Sequence, residues 1–166
     1  YREALAGSTE AMRRDPDDAQ RLFDQAQNVF WIAEIARSRG KIDEAERGYR
    51  EYKRLADRMV ALEPDNLKWR MEVLYATEDL AIALKGKRQF AEAAKLFGSS
   101  VGLMQSLVAI DPANLEYKTE FANLLGWYAD TRSALGDLDG AIAARRRQIA
   151  FVDGLVAAGN SDAALK

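Results

Sequence analysis

The sequence predicts an all-α chain of antiparallel helix pairs stacked on one another as a solenoid. Three observations predict it. Pro16, Pro64 and Pro112 stand 48 residues apart in one setting: Asp15-Pro16-Asp17-Asp18, Glu63-Pro64-Asp65-Asn66 and Asp111-Pro112-Ala113-Asn114. The blocks 15–62, 63–110 and 111–158 align without a gap. Within them apolar and small residues recur three and four positions apart, so each block carries two helical stripes that only a neighbour can bury.

The elements follow in order. Tyr1 lies one period before Tyr49, and Met12 falls in the column of Val60. Residues 1–14 therefore read as the end of a preceding repeat, with a helix over 1–13, and the array is expected to begin upstream. The first helix of each block (18–38, 66–86, 114–135) rests on the columns Val29/Thr77/Leu125, Ile32/Leu80/Tyr128 and Ala33/Ala81/Ala129. The second (42–61, 90–109, 138–157) rests on Ile42/Phe90/Leu138, Ala45/Ala93/Ala141, Leu55/Leu103/Phe151, Met59/Leu107/Leu155 and Val60/Val108/Val156. This makes about seven helices. The alanine columns mark places where two helix backbones come close. Gly40 and Gly136, with Gly86 nearby in the middle block, mark the turn inside each pair. The acidic residue before each proline and the Asp or Asn two positions after it both offer capping oxygens, and the sequence does not choose between them. A further step of 48 reaches Gly159-Asn160, so 159–166 reads as a tail or the start of a next helix.

Composition narrows the chemistry. The 166 residues include no cysteine and no histidine. Thiol nucleophiles, disulfides, Cys/His zinc sites and imidazole catalysis are thereby excluded. The net charge is −2, from 24 Lys and Arg against 26 Asp and Glu, which gives no electrostatic reason to expect nucleic acid or an anionic membrane. No run of 18 or more uncharged apolar residues is present, so no membrane span is expected. A cytoplasmic location fits the lack of cysteine. No cofactor and no metal is expected. The acidic column Asp24/Glu72/Glu120 is assigned to solubility, and the run Arg145-Arg146-Arg147 to a solvated helix face.

These columns resemble the tetratricopeptide repeat. Block one supplies Val29, Ile32, Ala33, Ala45 and Tyr49, and block two supplies Leu80, Ala81, Leu84, Ala93, Phe97 and Ser100. The likeness covers the whole chain. It departs in its period, 48 instead of the family's 34, so each helix is near 20 residues, about 30 Å long, as in the long-helix variant. It departs again in block three, where Arg132 and Arg145 stand in the columns of Ala36/Leu84 and Tyr49/Phe97. Charges there suggest that block three is the last full repeat, with a solvated outer face as cap.

The resemblance implies a right-handed solenoid whose first helices line a concave, partner-binding face. Carried over residue by residue, that face comprises Gln27, Phe30, Trp31, Glu34 and Arg37, then Tyr75, Glu78, Asp79, Ile82 and Lys85, then Asn123, Gly126, Trp127, Asp130 and Ser133. Trp31 and Trp127 have two readings, core or groove. Asp79 shares their column, so that column is not fully buried in every repeat. Rings and carboxylates together favour a basic or amphipathic peptide or helix. The carboxylate clamp that some relatives use for chaperone C-termini is not expected, because Phe30, Glu34, Asp79, Asn123 and Trp127 occupy its positions.

The expected function is a protein-interaction scaffold within a larger protein, with no enzymatic activity. Neighbours such as Glu78 and Asp79 diverge by about 100° on a helix and are not expected to converge on one substrate. The alternative is a regulatory or self-associating sensor segment fused to a signalling or transcription-factor domain. Bacterial examples of long-helix repeats make such a fusion plausible, and a homo-oligomer is compatible with it.

Overall fold

The computed structural model describes Gly7 and residues 17–164. Within residues 17–164 it contains six helices: α1 Ala19–Ser38, α2 Ile42–Leu62, α3 Leu67–Gly86, α4 Phe90–Ile110, α5 Leu115–Leu135 and α6 Leu138–Ala164. No strand is present among the described residues. The helix expected over 1–13 lies, Gly7 apart, outside them. The remaining boundaries fall within a residue or two of expectation except at the end. There α6 runs through Gly159-Asn160 to Ala164, since without proline nothing forbids it and a helical glycine costs only about 1 kcal/mol.

The chain resolves the choice of cap. Asp18 accepts from the backbone N–H groups of Gln20 and Arg21, Asn66 from Lys68, and Asn114 from Tyr117. The cap is thus the residue two after each proline. In the middle block the acidic residue before proline has a different task. Glu63 accepts from Asn66 Nδ2 at 2.7 Å and from the indole of Trp69 at 2.8 Å, which pins the turn to the next helix.

Within each pair the turn also repeats. Lys41 N–H reaches Ala36 O, Gln89 N–H reaches Leu84 O, and Asp137 N–H reaches Arg132 O. This six-to-one bond closes a helix around one left-handed residue. That residue is Gly40, Arg88 and Gly136, at φ +72°, +62° and +90°. Gly86, expected to serve the middle turn, lies in α3 two residues early, and an arginine takes the left-handed position.

The chain forms two compact units, Tyr1–Leu96 and Phe97–Lys166, with the division inside α4. In the first unit α1 and α2 pack in antiparallel register, shown by Ala33 facing Gly48, Glu34 bonded to Tyr49, and Phe30 against Tyr52. Tyr52, Ala56 and Met59 of α2 cluster with Leu22, Ala26 and Val29 of α1 and with Trp69 and Ala76 of α3. Leu80, Ala83 and Leu84 of α3 and Ala93 of α4 join Ala33, Ala36, Ala45 and Tyr49 in a second core cluster. Leu22, Tyr49, Leu55 and Met59 are wholly buried, each contributing about 1.5–3 kcal/mol. In the second unit α5 and α6 pack likewise, with Phe121 edge-on to Phe151 at 4.8 Å and Asp130 paired to Arg145.

The alanine columns Ala33/Ala81/Ala129 and Ala45/Ala93/Ala141 are buried in every block, as helix proximity requires. α4 is long and apolar enough to cross a membrane, a property the strict count of uncharged residues missed because Glu92 and Lys95 interrupt it. Its apolar content includes the buried stripe Ala93, Phe97, Val101, Met104 and Leu107, spaced as in a core helix.

At the end of block three the two arginines expected on a solvated outer face are partly exposed and each pairs with an aspartate. Arg132 pairs with Asp137 and lies over the Tyr128 ring, in space that a side chain at position 140 would fill. Further along α6, Asp153 is the one charge between Arg147 and Val156. Ile149, Val152 and Val156 are exposed, Ile149 by 53% and Val156 by 56%. In α2 the positions matching Val152 and Val156 are Ala56 and Val60, which pack with Trp69, Val73 and Ala76 of α3.

Candidate partner-binding site

Seven residues of the first unit enclose an open cavity of about 400 Å³: Gln27 and Phe30 from α1, Tyr52 from α2, and Glu72, Tyr75, Glu78 and Asp79 from α3. Helix periodicity places them. Phe30 lies one turn along from Gln27. Glu72, Tyr75 and Glu78–Asp79 descend α3 in steps of three and four. Tyr52 closes the floor because antiparallel register brings it opposite Phe30, ring centroids 5.5 Å apart.

The cavity combines rings with carboxylates. Glu72 Oε2 accepts from the Tyr52 hydroxyl at 2.6 Å and from Gln27 Nε2 at 3.2 Å. Burial raises the Glu72 pKa above the usual carboxylate value, and the Tyr52 bond pulls against that. Burial, helped by its bond to Glu72, also raises the Tyr52 phenol, so it stays protonated as a donor. Asp79 is half-buried, and among the described residues no hydrogen bond or ion pair reaches its carboxylate. Desolvation first, then the negative charge of Glu34, lifts its pKa to about 7, with Arg37 opposing. Glu34 sits differently: it takes two bonds from Arg37, at 2.9 and 2.7 Å, and one from the Tyr49 hydroxyl. The Arg37 bond leads the causes that hold it below the usual carboxylate range.

Of the residues expected on the binding face, the structure gathers Gln27, Phe30, Tyr75, Glu78 and Asp79 into this cavity. The Glu34–Arg37 pair lies close enough to act on Asp79 electrostatically. Trp31 is 45% exposed and meets Phe30 edge-on at 5.0 Å. Ile82 is exposed and lines no part of the cavity. Asn123, Trp127 and Asp130 belong to the second unit. There Trp127 is 44% exposed and stacked on Phe97, interplanar angle 9°, Asp130 pairs with Arg145, and Asn123 is exposed. Both tryptophans are therefore surface residues leaning on a ring of the core.

Glu78 and Asp79 both line this cavity. Glu72, assigned to solubility, is instead a half-buried acceptor in its wall. Glu72 and Tyr52 are the functional candidates that sequence reasoning missed. For Glu72 a signal existed, since it stands three residues before Tyr75 on the same stripe. For Tyr52 none did, because it belongs to the second helix and its column continues as Ser100 and Gln148. The carboxylates are spread around the wall: among the described residues no group of three acidic, histidine or cysteine side chains is placed to hold a metal ion.

No family model matches this chain, and no curated protein matches it.

Proposed function

We propose that the chain is a protein-interaction module of the tetratricopeptide kind, in its long-helix form, within a larger protein. In this reading the helix pairs continue as a right-handed solenoid, and the first helix of each pair presents the face that holds a peptide or helix of a partner. The observation that carries it is the cavity between α1 and α3, walled by Phe30, Tyr52 and Tyr75, with exposed Trp31 against the Phe30 ring. Rings give large contact area for little loss of rotamer freedom, which is why they dominate binding hot spots. The carboxylates Glu72, Glu78 and Asp79 favour a basic or amphipathic partner. They argue against the chaperone carboxylate, against nucleic acid and against an anionic membrane, and the module needs no cofactor and no catalysis. A cytoplasmic setting is part of this proposal.

The test is a peptide-display selection on the full chain, repeated with Trp31→Ala and Tyr75→Ala. Both residues are exposed, so truncation leaves the helices intact. Peptides enriched on the native chain and at least tenfold weaker on both variants are expected. Enrichment of nothing, or of peptides indifferent to both changes, would refute the reading.

A second reading, self-association within a regulatory or sensor segment of a fused signalling or transcription protein, is favoured by one observation. Ile149, Val152 and Val156 of α6 are exposed, although the α2 counterparts of Val152 and Val156, Ala56 and Val60, pack against α3.

A further inference from the structure

The cavity between α1 and α3 has a more specific chemistry than a generic groove. We propose that it receives the cationic end of a lysine or arginine side chain of the partner, stem against Phe30, Tyr52 and Tyr75 and charge among Glu72, Glu78 and Asp79. This rests on the peptide-binding reading above.

Three features support it. The seven lining residues include three carboxyl groups and no lysine or arginine, so the wall is of one sign. Three aromatic rings share that wall, and ring faces attract a desolvated cation. The carboxyl groups are dispersed around the opening and not gathered as metal ligands, a layout suited to a large, diffuse organic cation. A neutral apolar side chain would fill the same volume but leave the buried carboxylates facing carbon, which is costly. An acidic side chain would meet like charge.

Protonation follows. Asp79 is opposed by Glu34 and assisted by Arg37 from α1, faces the neutral phenols of Tyr49 and Tyr52 on α2, and shares α3 with Glu72 and Glu78. With its pKa near 7, it must release a proton to pair with an incoming cation. Affinity for the cation should therefore rise as pH increases through 7.

The experiment titrates the isotope-labelled full chain with n-butylammonium chloride and n-butylguanidinium chloride, with 1-pentanol as neutral control, at constant ionic strength. Saturable amide shifts centred on Phe30, Tyr52, Tyr75 and Asp79 are expected, with millimolar affinity, roughly what so few heavy atoms can give. Asp79→Asn and Glu78→Gln should each weaken the cations about tenfold, and affinity should be several-fold lower at pH 5.5 than at pH 8. Both changes keep side-chain size, and circular dichroism verifies that the helices persist. Equal shifts with 1-pentanol, or cation binding indifferent to both variants, would overturn the inference. So would selected peptides that keep their affinity when each lysine and arginine becomes norleucine or citrulline, while Trp31→Ala still abolishes it. In that last case the peptide reading stands and only the cation pocket fails. Butylammonium binding without any enriched peptide gives the reverse.

Discussion

Asp79 shows how one residue trades stability against use. Its carboxyl is half-buried, lies near Glu34, and has its pKa raised to about 7 from an ordinary 3.8. A raised carboxyl pKa means that the folded state holds a proton the unfolded chain has already released. The native state therefore loses stability as pH climbs from about 4 to about 7, and the loss is complete above that. Its ceiling is on the order of 4 kcal/mol. Asp79→Asn removes the ionisation. Urea unfolding should show the variant more stable than the native chain at pH 8 and nearly equal at pH 4. Equal stabilities at both pH values would mean that the carboxylate is solvated in the native state. Arg88 is a simpler case of the same kind. It holds φ +62° where the other two turns have glycine, a conformation costing a residue with a Cβ roughly 1–2 kcal/mol. Glycine there relieves that strain but leaves the unfolded chain more freedom to lose. Arg88→Gly is expected to gain up to about 1 kcal/mol, read from the same unfolding curves, and a loss would show that the arginine side chain holds the turn.

At the scale of the element, close approach of α1 and α2 is set by a pair of small residues. A Cβ built on Gly48 would stand 2.6 Å from the Ala33 Cβ and 3.3 Å from its α-carbon. Neither atom can swing away, so Gly48→Ala must push two helices apart. Overpacking of this sort costs typically 1–3 kcal/mol, more than the approximately 1 kcal/mol that alanine gains over glycine in a helix. Gly102 in α4 and Gly154 in α6 have nothing within 4 Å of that position. Thermal melts should therefore place Gly48→Ala below the native chain and Gly102→Ala and Gly154→Ala above it. The same contrast explains what was legible beforehand. Ala33, Ala81 and Ala129 could be read because their surroundings repeat, so the period averages over everything local. The caps could be located but not chosen, since Asp15 and Asp18 are equally good acceptors until backbone direction is known. Arg88 could not be read at all: the glycine signal stood two residues away. Tyr52 was illegible for a further reason. Its role comes from antiparallel register and not from its own column, and register depends on turn geometry that spacing alone does not encode.

At the scale of the whole chain, repetition implies a rule about ends. Each second helix carries a face suited to a following first helix, and α2 has its face covered by Trp69, Val73 and Ala76. α6 keeps apolar residues at two positions of that face, Val152 and Val156, with Ile149 about one turn before Val152 where α2 has Lys53, while Arg145 pairs with Asp130 and Gln148. An exposed apolar stripe on an otherwise charged helix is a docking surface by default, and a second copy of the chain is always available at high concentration. Placing glutamate at 149 and 152 should leave the melting temperature nearly unchanged, because neither side chain is buried within the chain. The expected readout is sedimentation equilibrium over a wide concentration range. The native chain should show a mass that grows with concentration, and the Ile149→Glu, Val152→Glu double variant should remain at the monomer mass of 18.5 kDa. A native chain that stays monomeric throughout removes the self-association reading and leaves the peptide-binding one untouched, since the cavity between α1 and α3 shares no residue with this face. A double variant that unfolds instead would show that the face already has a partner within the fold.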